Sequence, residues 1–297
     1  MKNAAKLLFL YTLLVILWGA WVRISHSGDG CGDSWPLCQG QFVPGTGEVI
    51  AQGKTWVEYT HRLMSGFYGI LVFALWFLIL RRFPKGHGAR KIAHAVLFFT
   101  ITEALLGAKL VIFGLVSQNE SWFRTTAMSL HQLNSMLLSG TTVLLALALS
   151  SPHFRWRPRS SFVTVLFLAI AVTGAWAALA STLFPSETLW EGIMKDFAPD
   201  SHHLLRLRVL HPLVALLGGG GLSVALWMKG FEDGPDKSLH QQTAMMVFGA
   251  IIFGVLTLFF LSPIWMKIAH LAIAHLVWAG LLRWAFSSGE SPRTLKA

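Results

Sequence analysis

"LLFLYTLLVILWGAWV", residues 7–22, is the apolar run that decides the fold class of this 297-residue chain. With its flanking residues it reaches the roughly 20 residues that a helix needs to cross a bilayer. It is long for the apolar core of a signal peptide and lacks a small-residue cleavage site, so we interpret it as a retained first helix. Similar runs follow it, and they predict eight transmembrane helices over residues 4–24, 56–80, 91–116, 125–150, 160–182, 203–228, 241–261 and 264–286.

The composition excludes an ordinary soluble domain. Hydrophobic residues make up 54% of the chain and charged residues only 13%, whereas soluble domains carry about 25% charged residues. The net charge of +10 is typical of Lys and Arg in cytoplasmic loops of a membrane protein, rather than of a nucleic-acid-binding surface. We therefore predict an all-α integral membrane protein that lies in a lipid bilayer and binds no nucleic acid.

The charge of the loops predicts the orientation. The loops after the second and fourth predicted helices are basic, with Arg81, Arg82, Lys85, Arg90, Lys91, Arg155, Arg157 and Arg159. The loops after the first and fifth helices carry the acidic residues Asp29, Asp33, Glu48, Glu187, Glu191, Asp196 and Asp200. Because basic loops stay in the cytoplasm, we expect a multi-pass protein of the plasma membrane with both termini cytoplasmic and the first loop on the outer face.

The two halves of the chain repeat each other. "LWGAWV" at 17–22 recurs as "VTGAWA" at 172–177, and His61 is followed by a second membrane histidine, His211, 150 positions later. The repeat unit is four helices. We therefore predict two pseudo-symmetric four-helix bundles, residues 1–155 and 156–297, related by an axis along the membrane normal.

Four histidines occupy matching places inside the predicted spans, and they are His61 and His131 in the first half and His211 and His275 in the second. An ionisable side chain inside a membrane is costly and is a functional candidate by default. His270 competes with His275, but the two are five residues apart and so point about 140° away from each other. His275 lies 144 positions after His131 and matches the repeat better.

Paired histidines in an apolar bundle favour haem as the bound group. Two imidazoles on facing helices commonly hold a haem iron axially. Zinc or copper would want further carboxylate or thiolate ligands, and a di-iron site needs two Glu-x-x-His motifs, of which this chain has one. We expect one haem in each half.

"EYTHRLMSG", residues 58–66, is the densest chemical stretch. Glu58 and His61 are three residues apart and share a helix face, while Arg62 is suited to pair with a propionate carboxylate. An alternative is that Glu58 only completes a capping box with Thr55. In the second half, Pro212 follows His211 directly and should kink its helix.

The only two cysteines, Cys31 and Cys38, lie in the first predicted loop. On the oxidising outer face a disulfide is expected, and two thiols do not complete a zinc site. The pair is either a structural staple or a redox-active disulfide that passes electrons, since small exposed disulfides can be labile.

Several stretches together carry a family resemblance. "GAWVRISHSGDGCGDSWPLCQG" (19–40), "EYTHRLMSG", "EALLGAKLV" (103–111) and "MSLHQLNSM" (128–136) strongly resemble the haem A synthase family of membrane proteins. The second half matches more weakly, through "VLHPLVALLGG" (209–219) and "LAIAHLVWAG" (271–280). The resemblance covers nearly the whole chain.

The resemblance implies an oxidoreductase that converts the C8 methyl group of haem O to a formyl group by successive hydroxylations, giving haem A for terminal oxidases. It implies that His61, His131 and Glu58 surround the haem O substrate. It also implies that His211 and His275 hold a haem b. Arg62 and Arg208, which lie near these histidines in the sequence, are further candidates for binding the haem cofactors. The expected partners are haem O synthase, the terminal oxidase assembly and a quinol or other membrane electron donor.

The chain departs from the family pattern at Pro212, where Arg is frequent, and at Glu103, where Gln is expected. Two other functions stay open. A non-catalytic haem carrier or chaperone would need the histidines but not Glu58. A di-haem b quinol electron-transfer subunit would leave both Glu58 and the cysteines without a role.

Overall fold

The computed structural model describes residues 1–45, 52–150, 154, 158–232, 234 and 236–286. Over these ranges the regular secondary structure is all-helical, with an isolated β-bridge between Cys38 and Gln41 and no strand. We number the helices α1 (Lys2–Ile24), α2 (Gly53–Arg82), α3 (Gly88–Ile112), α4 (Trp122–Ala148), α5 (Ser161–Leu183), α6 (Leu189–Phe197), α7 (His203–Lys229), α8 (Lys237–Phe259) and α9 (Ile264–Phe286).

Seven of the described helices are long and apolar enough to cross a membrane, namely α1, α2, α3, α5, α7, α8 and α9. The prediction of an all-α multi-pass membrane protein is confirmed, and the predicted ends lie within about four residues of the observed ones. The predicted eighth span corresponds to α4, which has 27 residues but is not among the seven. The eighth span and the pseudo-symmetric pair of bundles stay predictions.

Helix α4 is less apolar than the seven spanning helices because it lies at the centre of the fold. It packs against α1 and α3 on one side and against α5 and α9 on the other. Its buried side chains include the polar residues Asn134, Ser135, Ser139 and Thr142. Helices that cover this polar face keep it out of lipid, so α4 does not need the apolar surface of a lipid-facing helix.

The contact between α4 and α9 is tight. Gly140 of α4 faces Trp278 of α9, whose ring stacks on Phe167 at 5.3 Å between ring centres. The indole Nε1–H of Trp278 donates to the carbonyl oxygen of Met136 at 2.8 Å. A Cβ atom built on Gly140 would lie 2.7 Å from that nitrogen, so only glycine fits here without movement of the indole.

Helix α7 is irregular around Pro212, as the sequence predicted. An α-helical segment ends at Arg208, a second one runs over Leu210–Val214, and a π-helical turn follows over Ala215–Gly219. Proline supplies no backbone N–H and so interrupts the ladder of helix hydrogen bonds. The irregular backbone lies beside His211, and π-turns of this kind are frequent at functional sites.

Helix α6 lies where the sequence predicts an outer loop, and this helix was not predicted. Thr188 caps it, because its hydroxyl accepts from the N–H of Glu191 at 3.1 Å. The Thr-x-x-Glu spacing is a capping-box signal that could have revealed the helix. Its exposed Trp190, Met194 and Phe197 are typical of a short helix that lies at a membrane surface.

Some sequence predictions fall on residues outside the described ranges. These are the predicted boundary at 155/156 together with Glu48, Arg155 and Arg157, which entered the orientation argument.

Replacement of Gly140 with Ala tests the α4–α9 contact. We expect a lower thermal midpoint in detergent, because the new methyl group must displace the Trp278 indole and overpacking costs about 1–3 kcal/mol. Gly249 of α8 has open space around its Cβ position, so Gly249→Ala is the matched control. That control should be neutral or slightly stabilising, since Ala favours helices over Gly by about 1 kcal/mol. Equal midpoints for the two variants would contradict the contact.

Candidate functional site

A large cavity runs between the helices of both halves. Its volume is about 1340 Å³, which exceeds the roughly 300–1,000 Å³ of a site for one drug-sized ligand. Its walls include four histidines, which are His61, His131, His211 and His270. The four lie six to nine residues from the start of their helices, so they share a depth of about two helical turns from the end of the bundle that carries the cysteine loop. We call this end the disulfide end.

Two of these histidines pack against a glycine of the preceding long helix. A Cβ atom on Gly19 of α1 would lie 2.9 Å from Cε1 of His61, and one on Gly174 of α5 would lie 3.1 Å from Cε1 of His211. A side chain at Gly19 would require His61 to move, and one at Gly174 would be in tight contact with His211, so both glycines make space for an imidazole ring. Gly19 and Gly174 are also the glycines that align in the "GAW" repeat.

The same arrangement is found on α8 and α9 and, more loosely, on α3 and α4. A Cβ atom on Gly254 would lie 2.9 Å from Cε1 of His270, and one on Gly107 would lie 3.8 Å from Cε1 of His131. Each glycine is five residues before the end of its helix. The histidine of the second half that corresponds to His131 is therefore His270.

His275 does not line the cavity, whereas His270 does, so the sequence-based choice of His275 as the ligand stays a prediction that the cavity wall does not favour. His275 is fully buried between α9 and α4, with its Nδ1 at 3.0 Å from the hydroxyl of Ser139. The two histidines point in different directions, as their five-residue spacing predicts. Nine residues (113–121) join α3 to α4 but only four (260–263) join α8 to α9, which accounts for the different spacing of the cavity histidines in the two halves.

The cavity imidazoles differ in what surrounds their Nδ1 atoms. Nδ1 of His61, His131 and His270 is buried without a hydrogen-bond partner. His211 differs, because its Nδ1 lies 3.2 Å from the carbonyl oxygen of Ile170. A carbonyl oxygen only accepts, so this contact fixes the N–H on Nδ1 and leaves the Nε2 lone pair for a metal.

The spacing of the second pair fits two ligands on one metal ion. The ring centres of His211 and His270 are 6.2 Å apart. A metal at about 2.0–2.1 Å from each imidazole nitrogen places those nitrogens about 4 Å apart, with the ring centres further out. Over the described residues no group of three or more His, Cys, Asp or Glu is placed to hold a metal ion. The donor set therefore fits an iron whose other ligands come from a macrocycle.

Glu58 lies in the wall of the cavity and is 3% exposed. One carboxylate oxygen accepts from the backbone N–H of Cys31 at 2.8 Å, and the other pairs with Arg62 at 2.5 Å. No capping contact between Thr55 and Glu58 is seen in this described stretch. The carboxylate is therefore fixed in position and in contact with the cysteine loop.

Arg62 is used mainly by the protein rather than left free for a propionate. Its Nε and one terminal nitrogen donate to Glu58, and the other terminal nitrogen donates to the carbonyl oxygens of Ser34 at 2.7 Å and Leu37 at 2.5 Å. Four of its five N–H groups thus have protein partners. Arg62 joins the helix that carries His61 to the cysteine loop.

Arg208 is also held by a carboxylate. It forms a bidentate pair with Asp196 of α6, at 2.5 Å from Nη2 and 3.0 Å from Nε to the same oxygen, and it also donates to the carbonyl oxygen of Gly192 at 3.2 Å. Arg208 and Asp196 both line the cavity. The pair fastens α6 over the second half of the cavity, and its neutral total charge makes Arg208 a weak partner for an anionic ligand.

Cys31 and Cys38 form a disulfide with 4.5 Å between their Cα atoms, which confirms the predicted bond. Both residues are buried. Since the loop is held by Glu58 and Arg62, the disulfide and the first-half histidines form one connected unit.

Glu103 is a cavity residue to which the sequence assigned no role. It accepts hydrogen bonds from Asn134 at 2.6 Å and from the hydroxyl of Ser135, and it lies 3.7 Å from Nδ1 of His131. A carboxylate beside the second nitrogen of a ligating imidazole orients the ring and raises its basicity. The corresponding position one turn before Gly254 is Ala250, so this carboxylate belongs to the first half alone.

These features define a multi-pass all-α membrane protein with one cavity, two pairs of inward-facing histidines, and a carboxylate and a disulfide loop beside the first pair. The chain belongs to the cytochrome oxidase assembly protein family COX15-CtaA, whose family model matches residues 3–282. This confirms the resemblance that the sequence motifs indicated.

Individual relatives carry two different names. A protein of Thermus thermophilus named Protoheme IX farnesyltransferase is 36% identical over 278 residues, which is 91% of this chain but 45% of that protein. Proteins named Heme A synthase are 33% identical over 201 residues in Shouchella clausii (62% of this chain and 63% of the relative), and 40% identical over 100 residues in Symbiobacterium thermophilum (34% and 31%). The chain spans less than half the length of the Thermus relatives that it matches.

The choice of His270 over His275 can be tested by replacing each with Ala. If the second half binds a haem through the His211–His270 pair, His270→Ala should change the haem absorption spectrum, because one of the two holding imidazoles is lost. His275→Ala should keep that spectrum and lower the thermal midpoint, since the substitution leaves a void and removes the hydrogen bond to Ser139. The measurements are absorption spectra and unfolding curves of the purified proteins, and the reverse pattern would restore His275 as the ligand.

Proposed function

We propose that the chain is a haem A synthase that oxidises the C8 methyl group of haem O to a formyl group. The observation that carries this proposal is the cavity with two pairs of histidines, only one of which has Glu58 and the disulfide loop beside it. Membership of the cytochrome oxidase assembly family supports it, as do the relatives named Heme A synthase.

The first half is the proposed substrate site. His61 and His131 would hold the iron of haem O, and Gly19 and Gly107 leave room for their rings. Glu58 keeps a fixed negative charge in the wall next to His61, through Arg62 and the N–H of Cys31. There it would stabilise positive charge that develops on the substrate or accept a proton at a carboxylate oxygen.

The second half is the proposed haem b site, held by His211 and His270. These two histidines would hold the haem, and the bound haem would supply one-electron transfer. Ile170 sets the tautomer of His211, and the Arg208–Asp196 pair holds α6 over this part of the cavity. This half has no acid at the position of Glu103 and no disulfide in its described residues, which fits a role in electron transfer rather than in oxidation of the methyl group.

The proposed setting follows from this function. The protein would lie in the plasma membrane with both termini in the cytoplasm and the disulfide end on the outer face. Haem O synthase would supply its substrate, a quinol or another membrane donor would supply electrons, and the terminal oxidase assembly would take its product. The name of the Thermus relatives is consistent with a haem substrate. It describes a protein more than twice as long as the matched part, so farnesyl transfer is not proposed here.

Extraction and chromatography of the bound haems tests the function. Protein purified from cells that also make haem O should yield haem B together with haem O and its hydroxylated or formyl products. Haem B alone, with no oxidised haem in the membranes, would contradict the synthase and favour a haem carrier or a di-haem electron-transfer subunit.

Glu58→Gln tests the role of the carboxylate. We expect product formation to fall by about 10²-fold or more, because the amide has the same shape but carries no charge and accepts no proton. Haem content should stay at the native level. Glu120→Gln, a change at a half-exposed residue outside the cavity lining, is the control and should have native activity.

Two results would contradict this role of Glu58. Native rates of product formation in Glu58→Gln would show that the charge is not needed. Loss of haem together with increased reactivity of Cys31 and Cys38 would show that Glu58 acts mainly by holding the loop.

A further inference from the structure

Three cationic side chains face the cavity at the disulfide end without a carboxylate partner. They are Arg23 of α1, Arg124 of α4 and Lys267 of α9, and we call them the seam cations because they come from both halves of the chain. None of the ion pairs formed by the described residues includes any of the three. Arg62 and Arg208, by contrast, are each neutralised by an acid.

Two of the seam cations bind the last turn of α5. Arg23 donates to the carbonyl oxygen of Ala178 at 2.9 Å and to the hydroxyl of Thr182 at 3.2 Å, and Lys267 donates to the carbonyl oxygen of Ser181 at 3.2 Å. The C-terminal end of a helix attracts cations. Its partial charge accounts for the position of the two side chains, but it does not neutralise two full charges.

Arg124 is the most buried of the three, with 3% of its surface exposed. One terminal nitrogen donates to the carbonyl oxygens of Ser117 at 2.7 Å and Asn119 at 2.6 Å. Its Nε is buried and has no hydrogen-bond partner. A buried N–H group of a charged side chain without a partner is costly, so this guanidinium is prepared for a ligand that the protein itself does not supply.

The seam cations repel one another. Arg124 is close enough to Arg23 for their charges to interact unfavourably, and the same holds for Arg23 and Lys267. Buried charges in proteins are normally paired. Three cations gathered at one end of a cavity therefore indicate that an anion completes this region.

The position of the cations relative to the histidines indicates which anion. Lys267 is three residues before His270, and Arg124 is seven residues before His131, so each shares a helix face with its histidine. Arg23 is four residues after Gly19, the glycine that contacts His61. At 1.5 Å per residue the cations lie about 5–10 Å nearer the disulfide end than the histidines do.

We propose that Arg23, Arg124 and Lys267 form a shared binding site for the propionate carboxylates of the tetrapyrroles held by the histidines. This inference rests on the proposed function, because it requires a haem in the cavity. Carboxylates form strong charge-assisted hydrogen bonds with Arg and Lys. The charge of Arg23 interacts with both of the other cations, so Arg23 would contact carboxylates from both halves and set the two macrocycles in one relative orientation.

Titration with haem and its ester tests this site. The full-length protein, purified from cells grown without added haem precursor, is titrated with ferric protoporphyrin IX or with its dimethyl ester, which lacks the carboxylates. We expect the native protein to bind the free acid about tenfold or more tightly than the ester. In Arg23→Gln/Lys267→Met the preference should fall below about threefold. Lys109→Met, at an exposed lysine of α3 outside the cavity lining, should retain the native preference.

The outcomes separate failure of this site from failure of the proposed function. An unchanged preference for the free acid in the double variant would overturn the site while haem binding stands. Absence of ester discrimination in the native protein, together with displacement of haem by phosphatidylglycerol vesicles, would assign the cations to a lipid phosphate instead. Haem binding that does not depend on His61 or His270 would refute the function itself. If the double variant does not fold, two single variants test the site instead. Arg124→Gln should reduce the preference for the free acid over the dimethyl ester, and Lys267→Arg should preserve that preference.

Discussion

The polar face of α4 cannot lie in lipid, and the packing of the other long helices follows from this constraint. A polar group left unsatisfied in hydrocarbon costs several kcal/mol, and α4 carries Asn134, Ser135, Ser139 and Thr142 on its buried side. Helices from both halves cover these groups, so α4 belongs to two hydrophobic cores at once. The same helix carries His131 into the cavity, which connects the central packing to the candidate site.

The two halves share a framework but differ in their electrostatics. Each half has two cavity histidines, and each of them lies against a glycine of the preceding long helix. The four imidazoles therefore lie at one depth. Each half has a cavity carboxylate that pairs with an arginine, Glu58 in the first and Asp196 in the second. In the first half a second carboxylate, Glu103, lies beside His131, and Glu58 is tied to the disulfide loop. The second half fixes the tautomer of His211 with a backbone carbonyl. The duplicated framework thus provides a more polar site in the first half and a less polar site in the second. Two such sites are suited to different functions for the same kind of ligand.

The cationic side chains around the cavity differ in whether an acidic side chain neutralises them. Arg62 and Arg208 pair with acids and serve mainly to fasten the cysteine loop and α6. Arg23, Arg124 and Lys267 lack such partners in the part of the chain that the structure describes. The family motifs drew attention to the first two, because they lie beside His61 and His211 in sequence. Nearness in sequence to a ligand does not show whether a charge is already neutralised.

The sequence by itself determined the membrane class, the helix positions within a few residues, the disulfide and three of the four cavity histidines. These follow from hydropathy and from spacing along one helix, which are local properties. Only the tertiary structure places His270 rather than His275 in the cavity wall, because that position depends on the length of the α8–α9 connection and on which neighbouring helix offers a glycine. It also decided the partners of Arg62 and Arg208 and the grouping of the seam cations. Those contacts join residues far apart in the chain, so no local pattern records them.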